Sequence, residues 1–282
     1  MEPMSALEVV GFPADTTELK KCLDLSTMKM LAGDPYYEFL VIHDDPSGVC
    51  VGFFKTADGF FAETMALLGS AGHVVSAFQL APGLALVDVY DPAFFDDPGI
   101  FDDPDFNEED ADKWLLTRVL VCVDDPHMYP IHHSVRYAYS TGDLAHYTNY
   151  HLAAIGVALE VFPTLEEWEK AKESIGDDSF TFGPKLIMSP DLFDLYEGEC
   201  EPDEASPSAL FTAVCENVEI VTNSRTGKKW YSIDADCGFP IKLALPIDIE
   251  PAPQPGSIVD GGVLLTGSTG AVREDYEEEL DD

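Results

Sequence analysis

Five of the seven histidines fall in one stretch, "DDPHMYPIHHSVRYAYSTGDLAHYTNYH", which opens on two aspartates. Imidazole and carboxylate together form the ligand set of zinc, iron and manganese hydrolases and oxygenases. Asp124, Asp125, His127, His132 and His133 are therefore the candidate metal ligands, and a divalent metal is the cofactor they would hold. The spacing weighs against them. His132 and His133 are adjacent and point opposite ways on a strand, His146 and His151 do not share a helical face, and neither HExxH nor HxH occurs. Loop and edge-strand histidines are the plainer reading, with no cofactor.

Other reaction centres find less support. GxSxG, a Walker loop and GxGxxG following a strand are all missing from the sequence. Glycoside chemistry needs only two placed carboxylates, and among 53 acidic residues that test selects nothing. The densest acidic stretch, "FFDDPGIFDDPDFNEEDAD" (94–112), contains no lysine or arginine. Asp103, Asp105 and Asn107 match the first ligands of an EF-hand. Glu108 stands where the turn glycine belongs and Trp114 where the chelating glutamate belongs, so the match fails. Phe94, Phe95, Ile100, Phe101 and Phe106 alternate with the acids. They suit a loop that packs its rings on the sheet beneath, or an interaction segment that docks them on a partner.

The balance of 15 basic against 53 acidic residues gives a net charge of -38. That field opposes phosphate backbones and anionic membrane surfaces, and it favours a basic protein as partner. The one dense basic cluster, Arg225, Lys228 and Lys229 in "NSRTGKKW", reads as a hairpin turn. With 46% hydrophobic residues the chain can bury a large core. The six cysteines contain no CxxC pair, which fits neither zinc nor redox motifs and suggests reduced thiols in the cytoplasm. No signal peptide and no membrane-length apolar run are expected. Oligomeric state is not legible.

The elements that must position these residues are short strands separated by turn chemistry. "YEFLVIH", the turn "DDPSG" and "VCVGFFK" predict a hairpin; "HVVSAFQL" and "LALVDVY" predict another across "APG". "WLLTRVLVCV", "SVRYAYS" and "IGVALEVF" read as strands, while "LAHYTNYHLAA" is open to helix. Helices are expected at "TTELKKCLDL" and at 164–175, where Thr164 and Glu167 make a capping box. An acidic, Pro- and Ser-rich linker is expected at 196–208, and the tail 271–282 is acidic.

These readings predict an α+β, mainly β chain with antiparallel sheets and two domains. One spans 1–200, including the acidic loop 90–112. The other is a small C-terminal β domain, 208–270, a β-meander or OB-like barrel. A parallel between the first half and the last quarter (strand, glycine turn, strand, Pro-Gly, then "LVDV" or "IVDG") hints at duplication. The expected function is a non-enzymatic interaction protein with a solvated acidic coat. The rivals are a metal-dependent enzyme using the 124–151 cluster and an OB-like nucleic-acid-binding protein.

Overall fold

The computed structural model describes residues 4–23, 29–31, 36–69, 72–92, 114–174 and 183–271. The carboxylate-rich segment 94–112 and the tail 274–282 lie outside the described residues. The fold is mainly β with antiparallel sheets, as the turn chemistry predicts. Strands β1 (Lys29–Leu31), β2 (Tyr37–Asp44), β3 (Val49–Thr56) and β4 (Phe61–Leu67) form one sheet in that order.

The second sheet holds nine strands: β5 (His73–Ala81), β6 (Leu84–Tyr90), β7 (Leu115–Val123), β8 (Ala145–Phe162), β9 (Leu186–Met188), β10 (Ser208–Thr222), β11 (Lys229–Asp236), β12 (Pro240–Pro246) and β13 (Ile258–Ser268). Its pairings close on themselves twice. β10 pairs antiparallel with β11 and β13, β11 with β12, β12 runs parallel to β8, and β8 returns antiparallel to β13. This is the strand order of an OB barrel whose fifth strand, β8, comes first in the chain. β5, β6, β7, β8 and β13 close a second ring by the same scheme, with β7 parallel to β13. Each set of four consecutive strands borrows its fifth from the other. Exchanging the sets leaves the scheme unchanged.

The duplication is therefore topological, relating β5–β8 to β10–β13. The sequence parallel had matched β2–β6 with the C-terminal strands, a different register. Strands from both sides of residue 200 share this one sheet, and a single core runs through both rings, from Val75, Val87 and Val121 to Phe211, Ile233 and Leu243.

Five α-helices are described, α1 (Ala6–Val9), α2 (Thr16–Cys22), α3 (Val135–Thr141), α4 (Leu165–Ser174) and α5 (Asp191–Glu197), with one 3-10 turn at Pro126–Met128. α2 and α4 fall where expected; the Asp15 side chain accepts from Thr17 and Glu18, and Thr164 Oγ1 accepts from Glu167 N. α3 overturns the strand expected at "SVRYAYS". Ser134 caps it, Gly142 ends it at φ 64°, and Val135 and Ala138, one turn apart, enter the core beside Leu86 and Leu120. "LAHYTNYHLAA" is strand, because β8 must pair with β5 by its first residues and with β12 and β13 by the rest. α5 begins inside the stretch just before the expected linker and was not anticipated.

β6 shows how alternation places these layers. Ala85, Val87 and Val89 point into the barrel, while Leu84 and Leu86 face outward into the cluster under α3 and α5. On the other side, Leu7, Val10, Phe12 and Leu19 join β3, β4, Trp230 and Ala244 in a second core. The outer faces of both rings are thus partly covered by other parts of the chain.

Candidate functional site

Asp124 and Asp125 leave β7 at the point where parallel β13 ends, with Cys122 opposite Thr266 and Val123 opposite Gly267. Both are fully buried. Asp125 is held by three donors: Thr269 N at 2.9 Å, the Thr269 hydroxyl, and Tyr129 OH at 3.1 Å. Tyr129 OH lies 3.0 Å from Tyr150 OH on β8. That phenol needs the space left by Gly267, where a Cβ would sit 2.0 Å from the hydroxyl oxygen.

Asp124 stands in contrast. Neither carboxylate oxygen has a hydrogen-bond partner, although Ser268 and Cys50 are close enough to temper its charge. Burial first, and then the neighbouring Asp125, pushes the Asp124 carboxyl well above the usual carboxylate range. Burial raises Asp125 as well, against the pull of Thr269, Tyr129 and His127. Burial, together with the charge of Asp125, also raises the Tyr129 and Tyr150 phenols. The junction therefore favours a neutral acid.

Of the five predicted ligands, Asp124, Asp125 and His127 meet at this junction, while His132 and His133 lie elsewhere. His127 places a buried Nδ1 without a partner beside this junction. His132 turns away: its Nε2 lies 2.9 Å from the Asp143 carbonyl and 3.2 Å from the Asp143 carboxylate, and its ring packs on Phe78 and Tyr137. His133 Nδ1 lies 3.2 Å from the Leu80 carbonyl. His146 meets Ser76 and His151 the Gly69 carbonyl. Among the described residues, no three His, Cys, Asp or Glu side chains are placed to hold a metal ion. Strand geometry is the reason, since β8 and the turn before α3 send successive imidazoles to different faces.

A second polar centre was not read from the sequence. Asp45, fully buried in the β2–β3 turn, accepts from Ser47 N at 2.9 Å and from Ser224 N at 3.1 Å and its hydroxyl. Burial alone would raise this carboxyl, but His43, Ser224 and Ser47 outweigh it and hold it well below the usual range. Asn223 does the same for its own turn, accepting from Arg225 N and Thr226 N and donating to the Val10 carbonyl. Arg225 Nε reaches His43 Nε2 at 3.5 Å. The "DDPSG" and "NSRTG" turns are thus locked together. Their Asp and Asn were visible as turn formers, but their mutual contact was not.

At the surface, several cations are engaged by the chain's own acids: Lys21 with Glu18, Lys55 with Glu38, Lys172 with Asp260, Lys185 with Asp236 and Lys242 with Asp234. Arg118 is clasped by Asp88 through two bonds and covered by Tyr139. None of the six cysteines is in a disulfide. Among the described residues, no helix is long and apolar enough to cross a membrane. No family model, no curated protein and no solved structure matches this chain.

Proposed function

We propose that this chain is a non-enzymatic binding protein of the cytoplasm whose acidic surface meets a basic protein partner. The observation that carries the reading is the net charge of -38, combined with the commitment of Lys21, Lys55, Lys172, Lys185, Lys242 and Arg118 to internal ion pairs. Such a surface raises the local concentration of a cationic partner and speeds its encounter. The cysteines, none of them in a disulfide, suit a reducing compartment. The test is capture of partners by the full chain from an extract of its source cells, followed by affinity measurement across a salt series. The partners are expected to be basic, and their binding to weaken steeply as salt rises. Binding that ignores salt, or capture of nothing, refutes the reading.

Two rivals rest on particular observations. A metal-dependent enzyme draws support from the two Asp124 oxygens without hydrogen-bond partners; metal analysis of the purified chain that finds every divalent metal far below one equivalent removes it. Nucleic-acid binding draws support from the OB strand order, and the Arg225, Lys228, Lys229 turn would be its contact. The charge and the partial cover over the outer faces of both rings weigh against it, and the absence of a gel shift at low salt closes it.

A further inference from the structure

We infer that the groove between α3 and α5 is where this chain seats a lysine- or arginine-bearing segment of its partner, an inference that rests on the basic-partner reading above. The groove encloses about 270 Å³ between His133–Arg136 on one side and Leu195–Pro202 on the other. Cofactor and drug-like sites begin near roughly 300 Å³, so this one suits a long side chain. Val135, Leu195, Tyr196 and Pro202 are among its lining residues and offer contacts to the aliphatic stem of Lys or Arg. Glu197 and Glu201 also line it, within a run from Asp191 to Glu204, "DLFDLYEGECEPDE", that carries seven carboxylates and no lysine or arginine.

Phe193, 59% exposed on α5, offers an aromatic contact beside the acids. The groove's own cation, Arg136, reaches across to donate to the Tyr196 carbonyl at 3.1 Å. The wall is also preformed. Gly198 ends α5 at φ 78°, Glu199 N bonds the Asp194 carbonyl, Ser206 N bonds the Asp191 carboxylate, and Arg118 holds the Tyr196 hydroxyl at 2.8 Å. A partner therefore meets a rigid surface and does not have to order it.

The test is fluorescence anisotropy of the full chain with a labelled peptide alternating arginine and leucine, and with the same peptide carrying citrulline for arginine. The arginine peptide is expected to bind and the citrulline peptide to bind far more weakly. Glu197→Gln with Glu201→Gln should weaken binding about fivefold, as should Phe193→Ala, whereas Glu216→Gln with Glu219→Gln on β10 should change it less than about twofold. These side chains are exposed, so the variants should fold, and circular dichroism checks this. Equal loss from both pairs overturns the groove and leaves the acidic-surface reading standing. Equal binding of the two peptides overturns both. Binding of neither peptide overturns the groove and leaves the acidic-surface reading to the capture experiment.

Discussion

Asp45 and Asp124 are both fully buried carboxylates, and their partners give them opposite behaviour. Asp45 is lowered, so its stabilising contribution is present above the unfolded carboxylate value and is lost as pH falls through the folded one. Asp45→Asn should cost about 2 kcal/mol at neutral pH, and that difference should shrink in acid denaturation curves below about pH 4. Asp124 is raised, so its contribution is present below the unfolded value and is lost as pH rises through the folded one. Stability should therefore fall as pH rises from the unfolded carboxylate value towards the folded one, and Asp124→Asn should flatten that fall by up to about 1.4 kcal/mol per pH unit. An unchanged slope in urea titrations between about pH 5 and 9 would show that Asp124 does not titrate there. Trp230 adds a third case: its buried indole N–H has no acceptor. Trp230→Phe should cost less than the ~3 kcal/mol typical of large core truncations, because the lost volume is offset by removal of an unsatisfied donor.

At the scale of elements, β13 is the strand on which both rings depend, and its glycines mark where neighbours come close. A Cβ at Gly267 would lie 2.0 Å from the Tyr150 hydroxyl, and one at Gly261, held at φ 144°, would lie 2.3 Å from the Ala158 carbonyl. Gly267→Ala should destabilise by more than about 2 kcal/mol in denaturant titration. Tyr150→Phe in the same chain should recover part of that loss, because the hydroxyl is the nearest atom. Adding the two single effects without recovery would place the strain elsewhere. α3 illustrates how local pattern misleads: "SVRYAYS" alternates like a strand, but the Ser134 cap, Gly142 and the one-turn spacing of Val135 and Ala138 favour helix once β6 and β7 offer a face to pack on.

At the scale of the molecule, the two rings cannot separate without breaking the β8–β13 ladder, which runs from Ile258 opposite Phe162 to Ser268 opposite His151. Unfolding should therefore be one cooperative transition by calorimetry, with the same midpoint by tyrosine and tryptophan signals. Two resolved transitions would instead favour independent domains meeting near residue 200. The net charge adds a separate expectation. Self-repulsion at -38 opposes the compact state, so the melting temperature should rise with added salt as screening grows.

The sequence by itself determined the class, because strand alternation, turn residues and the helix caps at Asp15 and Thr164 act over a few residues. It also determined the charge and the small C-terminal barrel's strand content. Only the tertiary structure decided that β8 completes that barrel, that β13 completes another, and that His132 and His133 part from Asp124, Asp125 and His127. The ring closures are set by pairing between residues far apart in the chain, as in Ile258 opposite Phe162 and Thr266 opposite Cys122, and local spacing carries no record of which distant edge a strand will meet.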